Sequence, residues 1–121
     1  MDYLLVGIGS AIGGILRWEL SYRLNDSFPW GTFLVNCLGS FFAGLIAALV
    51  IHKFPNETMR LFMLIGFCGG FTTFSSFSVE ALNLMREGLV AYALLYVIGS
   101  LLTCIGLAWV GYTLADKALP F

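Results

Sequence analysis

The sequence has few charged residues. Only 11% of its 121 residues are charged, six basic and seven acidic, whereas a typical soluble domain has about 25%. So few charged side chains cannot cover the surface of a soluble globular protein. The net charge of −1 also leaves no basic patch for a phosphate backbone. The composition therefore excludes a disordered chain, a nucleic-acid-binding protein and an ordinary soluble enzyme.

Cysteine and histidine are scarce as well. Cys37, Cys68 and Cys104 lie in apolar stretches with no CxxC or Cys/His spacing, which argues against a disulfide framework or a zinc site. We interpret them as small buried hydrophobic residues. His52 is the only histidine and has no nucleophile spaced beside it. We therefore predict that the protein is not an enzyme.

Most of the sequence is hydrophobic. Hydrophobic residues make up 60% of it, and its mean hydropathy is +0.92. Charge-free stretches cover residues 3–16, 31–51, 61–79 and 88–115, and a membrane-spanning helix needs about 20 such residues. The first is long enough only if it continues past Arg17 and Glu19. We predict an all-α membrane protein with one domain, residues 1–121, and spans near 3–24, 31–51, 60–84 and 88–115.

Basic residues are balanced between the two sides of the predicted bundle. With four spans, those on the side of the termini and those on the opposite side are equal in number, namely Lys53, Arg60 and Lys117 against Arg17, Arg23 and Arg86. Orientation in a membrane follows an excess of lysine and arginine on one side. Because there is no excess here, we predict that the chain inserts both ways up and forms an antiparallel dual-topology homodimer.

Small residues recur at four-residue spacing within the predicted spans. The pairs are Gly9 with Gly13, Gly66 with Gly70, and Ser40 with Gly44. Such spacing lets two helix backbones approach closely, so we expect tight helix packing in the bundle.

The third stretch contains residues that support a helix poorly. The adjacent Gly69 and Gly70 precede a cluster of five hydroxyl residues. The predicted break, residues 69–78, starts about ten residues from Arg60, or roughly 15 Å of helix, which is the bilayer midplane. Backbone that leaves the helix there must be buried in protein or line water, and its carbonyls can bind a hard cation such as Na⁺. The alternative is a glycine kink whose hydroxyls bond back to earlier carbonyls.

Uncharged polar residues in two other stretches also lie at helical spacing. Asn36 and Ser40 share one face of the second helix, while Tyr96, Ser100 and the Thr103/Cys104 turn form a stripe on the fourth. Either stripe alone is typical of hydrogen bonding between helices. Together with the break they outline a path lined by hydrogen-bond donors.

The middle of this path has no ionisable group. A proton-coupled transporter needs a titratable group at that depth, and a cation pore usually has acidic rings. Carboxamides and hydroxyls donate hydrogen bonds without a fixed charge, and a phenylalanine ring offers its positive edge to an anion. Phe74 and Phe77 are three residues apart on one predicted face. The path suits a small anion, and core packing is the other interpretation of the two rings.

Residues 66–80, GFCGGFTTFSSFSVE, closely resemble the signature of the Fluc (CrcB-like) fluoride channels. The resemblance extends to Gly9, Gly13 and Arg17 at four-residue spacing, and to residues 29–40, PWGTFLVNCLGS, so it covers essentially the whole chain. It implies a passive, fluoride-selective channel in the cell (inner) membrane. Such a channel exports cytoplasmic fluoride, protects the cell from its toxicity and needs no organic cofactor.

The resemblance also implies a site. Two fluoride pores would run between the antiparallel subunits, and backbone carbonyls of Gly69 and Thr72 from each copy would hold a structural Na⁺ at the dimer centre. The pore residues that it implies are Asn36, Phe74, Phe77, Ser75, Tyr96, Ser100 and Thr103, with Arg17 and Glu80 in the vestibules. Cys104 stands where we expect a hydroxyl, so Thr103 is the candidate for the last step of the fourth-span stripe.

Two other kinds of membrane protein fit parts of the pattern. A small multidrug exporter, also with about four spans and dual topology, needs a membrane-embedded glutamate in its first span, and residues 3–16 contain none. A non-transporting scaffold subunit would use the polar stripes only for packing. The partners that we predict are fluoride, a second copy of this chain and the lipid bilayer, with no nucleic acid.

Overall fold

The computed structural model describes residues 1–53 and 55–118, which form a helical bundle. Its elements are α1 (Asp2–Leu24), α2 (Trp30–Ala47) with π-helical turns at Ala48–Lys53, α3 (Glu57–Met59), a π-helical stretch at Arg60–Cys68, α4 (Gly69–Phe71), α5 (Ser75–Arg86) and α6 (Val90–Ala118). Within these described ranges, four segments are long and apolar enough to cross a membrane, namely Asp2–Leu24, Trp30–Lys53, Glu57–Arg86 and Val90–Ala118. The prediction of an all-α protein with four spanning segments is confirmed. We call Glu57–Arg86 the third segment.

Short polar turns connect the segments. The side-chain Oδ1 of Asn25, just after α1, accepts a hydrogen bond from the backbone N–H of Thr32 at 3.1 Å and so caps the start of α2. Asn56 caps the third segment in the same way, because its Oδ1 accepts from the N–H of Met59 at 3.0 Å. Between α5 and α6, Gly88 has a φ of 82°, a backbone conformation that glycine adopts without a steric penalty.

The first helix packs closely on the third segment through facing glycines. A Cβ atom on Gly9 would lie 3.1 Å from the Cα of Gly66, and one on Gly13 would lie 3.2 Å from the carbonyl carbon of Gly70. The two glycine pairs found in the sequence therefore pack against each other, and the expected close approach of helices is confirmed. This packing brings the next turn of α1, which carries Arg17, alongside the end of α4.

A second close contact joins α2 to α6. A Cβ on Gly44 would lie 3.0 Å from the Cα of Ala108, and one on Gly111 would lie 3.1 Å from the backbone nitrogen of Leu45. Asn36 and Ser40 lie on the same helix as Gly44, and Ser100 and Cys104 lie on the same helix as Gly111. The contact therefore holds the two polar stripes on neighbouring helices.

Apolar side chains cover most of the outside of the bundle, as expected for helices that face lipid. The ion pairs among the described residues lie near segment ends: Arg23 with Glu19, Lys53 with Asp116 at 3.3 Å, and Arg60 with Glu57 at 2.6 Å. A small buried cluster, Phe77, Ala81, Leu84, Ala93 and Tyr96, joins α5 to α6. This cluster fixes the half of the third segment that follows α4.

Candidate functional site

The third segment leaves helical geometry at Thr72. This residue is extended, with φ −87° and ψ 159°, whereas Phe74 has returned to the helical region and α5 begins at Ser75. The residues between α4 and α5, 72–74, span fewer positions than the predicted break of 69–78. The helix resumes earlier than predicted because the Thr73 hydroxyl caps α5. Its Oγ1 accepts a hydrogen bond from the N–H of Ser76 at 3.1 Å.

Side chains from α1 and α2 bind backbone groups released by this interruption. The carboxamide of Asn36 donates to the carbonyl of Thr73 at 3.1 Å and accepts from the N–H of the same residue at 2.8 Å. The Nε of Arg17 donates to the carbonyl of Gly70 at 2.9 Å. A buried backbone group without a partner costs about 1–3 kcal/mol, so both side chains stabilise the interruption.

The carbonyls of Gly69 and Thr72 accept no hydrogen bond from any residue in the ranges 1–53 and 55–118. In a continuous helix, the Gly69 carbonyl would accept from the N–H of Thr73, but that group donates to Asn36. The Thr72 carbonyl would accept from the N–H of Ser76, but that group donates to the Thr73 hydroxyl. Both residues line the groove described next. Carbonyl oxygens without a hydrogen-bond partner are suitable ligands for a hard cation.

An open groove of about 390 Å³ runs past the interruption between the third segment, α2 and α6. Its lining residues with a hydroxyl or carboxamide group are Asn36, Ser40, Thr72, Thr73 and Ser100, and Cys68, Cys104, Phe74 and Phe77 line it as well. None of the described residues that line it carries a charged side chain. The groove therefore offers hydrogen-bond donors and aromatic edges without a fixed charge.

The hydroxyl of Ser100 is the polar group in this groove that most needs a partner. Ser100 is only 4% exposed, and its Oγ has no hydrogen-bond partner among the described residues. A buried hydroxyl is normally hydrogen-bonded. Because Ser100 lines the groove, a rotation about its χ1 bond would bring this hydroxyl to a ligand that accepts a hydrogen bond.

Phe74, at the N-terminus of α5, and Phe77, within α5, differ in exposure. Their ring centroids are 5.7 Å apart, but Phe74 is 74% exposed, whereas Phe77 is 7% exposed. Phe77 packs on Tyr96 with centroids 5.0 Å apart. Phe77 therefore belongs to both the groove wall and the core, while Phe74 contributes little to packing within one chain.

Glu80 accepts hydrogen bonds from three side chains on the far side of Phe77. The donors are the Nδ2 of Asn25 at 2.7 Å, the Oγ1 of Thr32 at 2.9 Å and the phenol of Tyr96 at 3.2 Å. Glu80 also borders a smaller pocket of about 150 Å³ that does not include the groove residues. The phenol of Tyr96 is therefore directed to this carboxylate.

Three of the predicted pore residues do not line the groove. Ser75 is exposed at the start of α5, with its hydroxyl 3.3 Å from that of Thr73. Thr103 is exposed on α6, and its neighbour Cys104 lines the groove instead. Tyr96, only 1% exposed, lies behind Phe77.

Sequence analysis missed three residues that build this region, namely Thr73, Asn25 and Thr32. Thr73 was noticed only as one of the hydroxyl cluster, although its position three residues before Ser76 is that of a helix cap. Asn25 and Thr32 flank the turn between α1 and α2, where side chains commonly bond exposed backbone groups. Their contact with Glu80 joins residues too far apart in sequence for spacing to indicate it.

The chain is similar to known proteins over most of its length. The family model described as "CrcB-like protein, Camphor Resistance (CrcB)" matches residues 4–112. A protein of Thermus thermophilus named "Fluoride-specific ion channel FluC" is 47% identical, with 93% of each chain covered. Proteins of the same name from Methylocella silvestris and Paramagnetospirillum magneticum are 43% and 42% identical, with at least 93% of each chain covered. Their name describes a channel, which confirms the prediction that the protein is not an enzyme. The resemblance found in the sequence is confirmed as well, and the chain belongs to the CrcB-like family.

Proposed function

We propose that this protein is a fluoride-selective, passive channel that exports cytoplasmic fluoride across the cell's inner membrane. The observation that carries the proposal is the groove beside the interruption, whose described lining residues supply hydroxyl and carboxamide groups and no charged side chain. Relatives that cover nearly the whole chain are named for fluoride conduction. A small anion that must shed water needs such weak, uncharged donors.

Acid trapping gives an exporting channel its purpose. Neutral HF crosses lipid, ionises in the less acidic cytoplasm and leaves an anion that lipid retains, since a bare charge is costly in hydrocarbon. A passive pore then lets fluoride leave down its gradient and protects the cell. Selectivity over chloride follows if the donors of a narrow path cannot solvate the larger ion as well.

Two antiparallel copies are proposed as the conducting unit, with two pores between them. The groove is open along one side of the chain, and the Phe74 ring projects from it with 74% of its surface exposed. A second copy would cover both. The even distribution of basic residues supports insertion in either orientation.

A sodium ion at the dimer centre is proposed to bind the carbonyls of Gly69 and Thr72. These oxygens lack hydrogen-bond donors among the described residues of one chain, and two copies related by a two-fold axis would supply four of them. When bound, the ion would supply a fixed positive charge near the anion paths. The chain's own part is to keep these carbonyls unpaired, through Asn36 and the Thr73 hydroxyl.

The proposed pore residues divide by their contacts. Asn36, Phe74, Phe77 and Ser100 border the groove and are assigned to direct contact with fluoride. The last step of the fourth-helix stripe is assigned to the Thr103/Cys104 turn, of which Cys104 lines the groove. Ser75 and Tyr96, which do not line the groove of one chain, are proposed to extend the path, and Arg17 and Glu80 are assigned to the vestibules.

Fluoride efflux from proteoliposomes tests the function. Purified protein is reconstituted with internal fluoride, and release is read with a fluoride electrode beside a chloride-loaded control. Fast fluoride release with little chloride release is the expected result. No release from a folded, dimeric sample would overturn the channel. Release that stops when a pH gradient collapses would favour a proton-coupled exporter, and purification with another protein in fixed ratio would favour a scaffold subunit.

Labelling of one exposed residue tests the dual topology. Ser27 lies in the exposed turn after α1, so Ser27→Cys is available to a membrane-impermeant maleimide. We expect about equal labelling from the two sides of the membrane, since neither orientation is favoured. The unsubstituted chain is the matched control for background from Cys37, Cys68 and Cys104. Labelling from one side only would exclude antiparallel pairing.

A further inference from the structure

We infer that Arg17 is a positioning residue, which holds the Gly70 carbonyl out of the cation site by donating a hydrogen bond to it. The inference rests on the proposed function and adds a role to the vestibule charge proposed for Arg17. The Nε of Arg17 lies 2.9 Å from the Gly70 carbonyl oxygen. Gly70 directly follows Gly69, whose carbonyl is assigned to Na⁺.

The register of α1 places Arg17 at the interruption. Gly9, Gly13 and Arg17 are four residues apart and share one helix face. The two glycines pack on Gly66 and Gly70, so the next residue of this face meets the end of α4. Gly70 has no side chain of its own and lies against Ser10, with the position of a Cβ only 2.8 Å from the Ser10 Cα. The guanidinium can therefore reach the Gly70 carbonyl directly.

The hydrogen bond has a consequence for the neighbouring peptide groups. A donor that carries charge makes a stronger bond than a neutral one, so the Gly70 carbonyl is directed towards α1. On the opposite side of the interruption, Asn36 holds both backbone groups of Thr73. Between these two attachments only a few backbone angles are free. The carbonyl of Thr72 lies between the attachments and is therefore presented in one arrangement, while the carbonyl of Gly69 lies one residue before the attachment to Arg17.

Three substitutions separate the hydrogen bond from the charge. Glutamine has its Nε2 the same number of bonds from Cα as the Nε of arginine, so Arg17→Gln keeps the donor and loses the charge. Arg17→Lys keeps the charge and moves the donor, and Arg17→Met removes both. Arg23→Gln is the matched control, because Arg23 lies on the same helix with 70% of its side chain exposed and pairs with Glu19.

Fluoride efflux and hydrogen–deuterium exchange are measured on the full-length, reconstituted protein. We expect Arg23→Gln to stay within about threefold of wild-type flux, and Arg17→Met to lose at least about tenfold, as for a lost hydrogen bond to a charged donor. Arg17→Gln, which loses the vestibule charge but keeps the donor, should lose less flux than Arg17→Met. Backbone amides of residues 70–74 should exchange faster in Arg17→Met and near the wild-type rate in Arg17→Gln.

Two results would overturn the inference. If Arg17→Lys conducts like wild type while Arg17→Gln falls as far as Arg17→Met, the charge alone acts and positioning is wrong. If Arg17→Met exchanges like wild type at residues 70–74, the hydrogen bond does not hold the interruption. A wild-type protein without fluoride flux would refute the proposed function separately, and the exchange measurement would still decide the role of Arg17.

Discussion

Asn36 forms two hydrogen bonds with the backbone of Thr73, donating to its carbonyl at 3.1 Å and accepting from its N–H at 2.8 Å. One side chain on α2 thus replaces both helical hydrogen bonds that Thr73 would otherwise make. The same contact frees the carbonyl of Gly69, because the N–H that would have bonded it is taken. Asn36 therefore determines the shape of the interruption and also borders the groove.

Replacing Asn36 by alanine should destabilise the fold and stop conduction. Two backbone groups of Thr73 would lose their partner, and an unpaired buried group costs about 1–3 kcal/mol. Thermal unfolding in detergent and fluoride efflux measure the two effects. Asn83→Ala is the control, because the Asn83 side chain is exposed on α5. Wild-type stability of Asn36→Ala would mean that Thr73 finds its partners elsewhere.

Replacing Gly13 by alanine should separate α1 from the third segment. The added Cβ would lie 2.7 Å from the backbone nitrogen of Phe71, and such overpacking costs about 1–3 kcal/mol. The matched control is Gly7→Ala on the same helix, where a Cβ meets nothing within 4 Å. Thermal unfolding should separate the two variants, and equal midpoints would contradict the glycine packing.

Replacing Ser100 by alanine should change stability and flux differently. Removing a buried hydroxyl that has no partner in the described part of the chain leaves the free energy of unfolding unchanged or raises it by up to about 1 kcal/mol. Fluoride flux should nevertheless fall, because the groove loses a donor. Ser10→Ala is a contrasting control, since the Ser10 hydroxyl donates to the Gly66 carbonyl at 3.3 Å. It should lower stability slightly without slowing flux. Unchanged flux in Ser100→Ala would remove this residue from the path.

Phe74→Ile should slow fluoride flux while the protein remains folded. The ring is 74% exposed in one chain, so its loss costs little packing. A barrier higher by about 1.4 kcal/mol is enough for a tenfold loss of rate, and we expect at least that. Phe42→Ile, at a partly exposed residue outside the groove, is the control.

Phe77→Ile should slow flux and also lower stability, because Phe77 packs on Tyr96 in the core. The comparison with Phe74→Ile thus separates the two roles of the rings. Wild-type flux in both variants would mean that the rings only pack.

Much of the groove could be predicted from sequence, because it depends on helical spacing. Asn36 with Ser40, and Ser100 with Cys104, are four residues apart, so each pair shares a helix face wherever the helix lies. Which of Thr103 and Cys104 faces inward could not be predicted, since adjacent residues point in directions that only the packing of α6 on α2 distinguishes. Thr103 proved to be exposed and Cys104 to line the groove.

The sequence by itself determined the membrane environment, the four apolar segments and the family, because these depend on hydropathy, segment length and local residue strings. It also indicated that the third segment would be interrupted, since glycines and hydroxyl residues support a helix poorly. Only the tertiary structure decided where the released backbone groups find partners. Arg17 and Asn36 reach Gly70 and Thr73 across more than thirty residues of sequence, and such hydrogen bonds form only after the helices pack.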